Sequence, residues 1–181
     1  LFRSMDDVYR KAMIEQQRKV LADAGNVEKE VPAEYEGAPT WDQIKDGKHP
    51  IIRPEPGHSA NTKAGWEGLD INTRSKLVKL WNLSNLGTPF IGRSFYRSQE
   101  HQDRLYQEML DGKRKKGSVA KVSLHTSGKA VDIRWKGFDP YSVETQILID
   151  QARTLGFNGI GRYPDFIHLD LRAEYLPWEV K

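Results

Sequence analysis

Hydrophobic positions recur at helical spacing in four stretches of this chain and alternate in shorter ones, and these two periods predict its elements. Over residues 2–24, Phe2, Met5, Val8, Tyr9, Ala12, Met13, Val20 and Leu21 fall at roughly helical spacing among Arg, Lys and Gln. Ala24-Gly25-Asn26 ends that run with a glycine stop. Leu69 to Leu86 predicts a second helix, with Leu77, Leu80 and Trp81 on one face. Asn72 or Thr73 is its expected N-cap and Gly87-Thr88-Pro89 its stop. A third helix is expected from Ser98 or Gln99 to Leu110, and a fourth from Ser142 to Leu155, closed by Gly156. Strands are expected from Pro89 to Ser94, near Val119 to Leu124, from Ala130 to Trp135 and from Phe166 to Leu171.

Between Asn26 and Gly65 the pattern breaks down. Five prolines (Pro32, Pro39, Pro50, Pro54, Pro56) and three glycines (Gly37, Gly47, Gly57) interrupt it. Such a stretch reads as a linker or an arm wrapping the surface, anchored by Trp41, Ile44, Ile51 and Ile52. The chain therefore divides into an N-terminal helix (1–25), a Pro/Gly-rich arm (26–66) and a domain (67–181). Element order in that last part predicts an α+β domain, a small antiparallel sheet flanked by helices.

Composition narrows the classes. The 181 residues are 38% hydrophobic and 29% charged, with 28 Lys and Arg against 25 Asp and Glu for a formal charge of +3. That mild excess favours polyanions such as nucleic acid, anionic membrane surfaces or cell-wall polymers. A nucleic-acid binder, however, would rest only on the basic balance and the Lys113–Lys116 turn, without a base-reading element. The turn itself reads as a solvated charge run. There is no cysteine, which excludes disulfide scaffolds, thiolate metal sites and thiol chemistry. No apolar run is long enough to span a membrane, and the first residues lack the apolar core of a secretory signal. A chain beginning at Leu1 reads as a processed product or an excised fragment.

Chemistry concentrates in Ser123-Leu-His125-Thr-Ser-Gly128-Lys-Ala130-Val-Asp132 and in Phe166-Ile-His168-Leu-Asp170. In a strand through 130–135, Val131 and Ile133 would face the core and Asp132 the other side, while His168 and Asp170 share one strand face. Gly128 allows the tight turn that brings His125 and Asp132 together. Two histidines and one carboxylate suit a zinc ion, and three protein ligands leave its fourth position open, as hydrolytic sites require. Manganese or iron also fits such donors. Ser123 is read as a turn cap rather than a nucleophile. His49, His58 and His101 are read as surface residues, and Trp135 and Trp178 as core residues with a groove as the other reading.

This pattern resembles the signature of zinc D-Ala-D-Ala carboxypeptidases and their phage endolysin relatives, a group related to lysostaphin-type peptidases and hedgehog domains. Ser94-Phe95-Tyr96-Arg97-Ser98 and Tyr163-Pro164 are similar to further segments of that family, and the resemblance covers about Leu69 to Arg172. It implies one zinc ion on His125, Asp132 and His168. Arg97 would hold a substrate carbonyl or carboxylate through its planar fork, with Ser123 and Tyr163 beside it on the substrate side. Asp165, three residues before the last histidine, would be the general base; Asp170 is the competing candidate, or else the partner of a ligand histidine. The implied substrate is the peptidoglycan stem peptide. An L-alanyl-D-glutamate endopeptidase is favoured slightly over a D,D-carboxypeptidase. The implied setting is a phage virion, or a host cytoplasm or periplasm from which the wall is attacked. A virion structural or adaptor protein is the second reading, with residues 1–66 docking on a larger assembly.

Overall fold

A computed structural model describes residues 37–58 and 62–179. The helix expected over 2–24 and the first part of the arm lie outside these residues. The described elements are α1 (Trp41–Ile44), β1 (Ile52–Pro54), α2 (Lys63–Glu67), α3 (Ile71–Ser84), β2 (Phe90–Ser94), α4 (Gln99–Leu110), a 3-10 turn (Leu124–Ser127), β3 (Ala130–Arg134), α5 (Val143–Thr154), β4 (Gly159–Arg162), β5 (Ile167–Asp170) and β6 (Leu176–Glu179). This is an α+β arrangement, as expected.

The sheet differs from the expectation. It has six strands in the order β1-β2-β3-β5-β4-β6 and is mixed rather than antiparallel. The four central strands pair antiparallel, while β1 joins β2 and β6 joins β4 in parallel. Both edge strands are short and contain proline (Pro54, Pro177), which a sheet tolerates at its edges because no ladder donor is then missing.

Register fixes the two faces. Val131 lies opposite Leu169, Ile133 opposite Ile167, and Ile160 opposite Leu169, and all five are buried. They form the apolar face, which joins a single core with Leu77, Val78 and Leu80 of α3 and Leu148, Ile149 and Ala152 of α5. The other face carries a row in which Asp132 lies opposite His168, His168 opposite Gly161, and Gly161 opposite Trp178. Period-two alternation thus puts the core and the chemistry on opposite sides of the same strands.

Helix ends follow capping chemistry. Ser98 and Ser142 accept hydrogen bonds from the amides of His101 and Thr145. The N-cap of α3 is Asp70, which accepts from Asn72 N at 2.8 Å, in place of the expected Asn72 or Thr73. Thr73 is buried and its hydroxyl donates to Gly128 O instead. Of the arm's expected anchors, Ile44, Ile51 and Ile52 are fully buried and Trp41 packs against the core. The segment 117–123 is mostly exposed and holds no strand: Val122 is 83% exposed, and β3 already pairs with β2 on one side and β5 on the other. His49 is buried, contrary to the surface reading, because the turn before β1 folds inward and Ile51 N donates to its Nδ1. Trp135 is buried against Phe90 and Phe138.

Candidate metal centre

His125 is delivered by the 3-10 turn. Ser123 caps that turn, its hydroxyl accepting from His125 N, and Thr126 Oγ1 donates back to Ser123 O at 2.7 Å. The turn ends at Gly128 in the left-handed region (φ 69°), where a Cβ would stand 2.3 Å from Gly68 O. Only glycine allows this approach. Gly128 O then accepts from Asp70 N at 3.0 Å and Thr73 Oγ1 at 2.9 Å, locking the turn to the start of α3.

The ring of His125 is oriented by Phe95 O, 2.7 Å from Nδ1. A carbonyl only accepts, so Nδ1 carries the proton and Nε2 keeps its lone pair. That Nε2 lies 3.3 Å from Asp132 Oδ1, and His168 Nδ1 lies 2.8 Å from the same oxygen. One ligand atom from each residue falls within 4.8 Å of the others, so the buried group His125, Asp132 and His168 could hold a metal ion. His125 is 3% exposed, Asp132 11% and His168 12%, so the group is buried without being sealed from solvent.

Behind His168 stands a second carboxylate. His168 Nε2 lies 3.0 Å from Asp170 Oδ2, and Arg172 grips Asp170 with Nη2 at 2.6 Å and Nε at 2.8 Å. The amide of Arg172 adds a bond to Oδ1 at 3.1 Å. Asp170 is thereby committed, on the ring nitrogen that faces away from Asp132. An outer partner of this kind fixes the tautomer and direction of a ligand histidine. Truncating the support with Arg172→Gln is expected to weaken zinc affinity about 10- to 100-fold without abolishing it, measured by competition with a chromophoric chelator. Unchanged affinity would leave Arg172 no part in the centre.

Electrostatics agree with the geometry. Burial opposes charge on Asp132, but His125 and His168 hold its carboxyl well below the usual range. Asp170 is held low as well, against burial, by Arg172 and His168. Burial pushes His125 down. His168 is pushed up to about 8: burial opposes its charge, but Asp132 and Asp170 both bind the protonated ring. Its ordinary value is about 6.5. In the metal-free protein its charge therefore stabilises the fold fully below pH 6.5, and this is lost as pH rises through 8. The linkage is worth about 2 kcal/mol. Calorimetry with chelator is expected to show the melting temperature falling from pH 7 to 9, and saturating zinc is expected to remove that slope. A flat apo profile would contradict the assignment.

Around this centre stand the remaining residues. Arg97 Nη2 lies 3.9 Å from Asp132 Oδ2 and donates to Ser94 Oγ at 3.1 Å. Its Nη1 donates to Gln102 Oε1 at 3.1 Å, and buried Gln102 is itself tied to Ala120 O. A register shift in β2 between Gly92 and Ser94 sets Ser94 opposite Asp132. The far wall is aromatic. Trp178 leans on His168 with ring centroids 5.2 Å apart and donates to Tyr163 Oη at 3.3 Å, and Tyr163 stacks on Phe166 at 4.2 Å. Trp178 lies over Gly161, where a Cβ would meet its ring at 2.5 Å.

Of the residues expected from sequence, His125, Asp132, His168 and Arg97 come together, and Asp170 supports from behind. Ser123 acts as the cap of the turn. Asp165 stands at the tip of the β4–β5 hairpin, half exposed and ion-paired with Arg93. His58 is 3.5 Å from Glu55, and His101 is half-buried in the first turn of α4. Sequence reasoning missed Arg172 and Gln102. Their only advance signal was an Arg two residues after Asp170, just past the end of β5, and a polar residue one turn into α4. No protein-family model matches the chain, and no curated protein matches it.

Proposed function

We propose that this chain is a zinc-dependent peptidase that hydrolyses peptidoglycan stem peptides, with the L-Ala–D-Glu bond slightly favoured over the terminal D-Ala–D-Ala bond. The observation that carries the reading is the convergence of His125 Nε2, Asp132 and His168 Nδ1 beside a partly buried arginine. The donor set fits zinc: two imidazole nitrogens, each with its other nitrogen already satisfied, and one carboxylate. The motif resemblance supplies the substrate class and the phage-type lysis or wall-penetration setting.

Zinc held there would supply the Lewis acidity that makes water a nucleophile at neutral pH and polarises the scissile carbonyl. The protein's own residues do the rest. Arg97, fixed by Ser94 and Gln102, presents its fork to a substrate carboxylate or carbonyl. Tyr163, whose oxygen already accepts from Trp178, keeps its own proton to donate to the carbonyl oxygen as charge develops there. Burial holds the Tyr163 phenol above its usual range, so it stays a donor. Asp165 takes the proton of the attacking water and returns it to the leaving amine. It is the carboxylate three residues before His168 in the hairpin that leads into it; it is not a ligand, and its ion pair with Arg93 opens to free it for the water. Asp170 and Arg172 orient His168.

Purified cell-wall sacculi incubated with zinc-loaded protein test this directly. New glutamate amino ends support the endopeptidase, and free alanine supports the carboxypeptidase. Neither product, with one zinc bound per chain, overturns the peptidase.

A further inference from the structure

The face that carries the metal centre does not end at Asp132. Arg134 follows two residues along β3 and so stands on that same face, about 7 Å further on. Ile91 of β2 lies opposite Arg134, and Arg53 of β1 pairs beside Ile91. This second row lines a cleft of about 560 Å³, which Lys136 and the hairpin tip at Asp165 also line. Its charge is one-sided. Arg53 and Lys136 are exposed, with no ion pair to an acidic side chain among the described residues. Arg134 pairs with Glu55 through Nη2, yet its Nε is buried with no hydrogen-bond partner. The acidic member, Asp165, is already engaged by Arg93. Trp135 and Phe138 provide an apolar wall beside these cations.

We infer that this cleft is an anion-accepting subsite, which takes a carboxylate on the substrate peptide about two residues from the bond that is cut. The spacing follows from the strand: a peptide lying along β3 with its scissile bond at Asp132 reaches Arg134 after two residues. A guanidinium fork and an ammonium group then meet a carboxylate as charge-assisted donors. The inference deepens the peptidase reading and rests on it for the direction of the peptide, but binding alone tests the subsite.

The probe is a pair of synthetic stem tetrapeptides identical except that one side carboxylate is a carboxamide in the second. Calorimetry with the full, zinc-loaded chain is expected to find the carboxylate form bound about tenfold more tightly or better. Arg53→Gln with Lys136→Gln, both at exposed positions, is expected to erase most of that difference, and Arg134→Gln to erase it further. The preference is expected to survive in Asp132→Asn, which lacks a metal ligand. Equal binding of the two peptides to the native chain would overturn the subsite, as would a preference that the charge-removing variants leave intact. Tighter binding of a glycerol-phosphate oligomer than of the carboxylate peptide would also overturn it, in favour of an anionic polymer. Loss of hydrolysis with the preference retained would instead sink the peptidase and leave the subsite standing.

Discussion

His125→Ala is expected to lose stoichiometric zinc and all hydrolysis while keeping the six-stranded sheet. The residue has two jobs. Its Nε2 is one of three converging donors, so removing it should cost more than the roughly 10- to 100-fold that loss of an outer partner costs. Its Nδ1–H satisfies Phe95 O at 2.7 Å, so alanine also orphans a buried carbonyl, at about 1–3 kcal/mol. The variant should therefore melt lower but cooperatively, with an unchanged far-ultraviolet spectrum. Zinc content by mass spectrometry and turnover of stem peptide decide the matter together. Full activity in a folded, zinc-free variant would remove the metal from the account.

Asp165→Asn separates proton transfer from metal binding. Asp165 is half exposed and, among the described residues, ties only to Arg93, so the substitution should change stability by less than about 1 kcal/mol. Zinc affinity should remain native because Asp165 is not a ligand. If Asp165 is the base, kcat falls about 10²- to 10⁴-fold with little change in KM. Asp170→Asn should differ: it breaks the hold on His168 Nε2, so zinc affinity falls along with rate. Native kcat in Asp165→Asn would return the base to another group on this face.

These contrasts depend on which parts of the molecule are local in sequence. Helices α3, α4 and α5 were legible because apolar spacing, a serine cap or a glycine stop lies within one or two turns of each end, as with Ser98 and Ser142. Strands β3 and β5 were legible because Val131/Ile133 and Ile167/Leu169 flank the polar residues with period two. The strands at Gly159–Arg162 and Leu176–Glu179 escaped because glycines opposite Asp170 and Trp178, and a proline at an edge, look like turn residues locally. Only the fold shows why Gly161 must be bare: the Trp178 ring occupies the space a side chain would fill. The converse failure, a strand near Val119–Leu124, had apolar residues without a free partner strand.

The candidate centre divides the same way. His125 and Asp132 were legible from their spacing around Gly128. Their meeting with His168 is a matter of register between strands 36 residues apart, Asp132 opposite His168, which no local pattern encodes. Asp170 was legible as a carboxylate on the face of His168, but its two readings, base or support, separate only once Arg172 is seen to occupy both of its oxygens.

We propose that His125, Asp132 and His168 form a metal-dependent peptidase centre. Its most direct test is mass spectrometry of one purified muropeptide incubated with zinc-loaded chain, with chelator-treated chain and with His125→Ala. A cleaved product is expected in the first sample alone, restored in the second when zinc is added back. An intact muropeptide in all three, with one zinc bound per native chain, would contradict it.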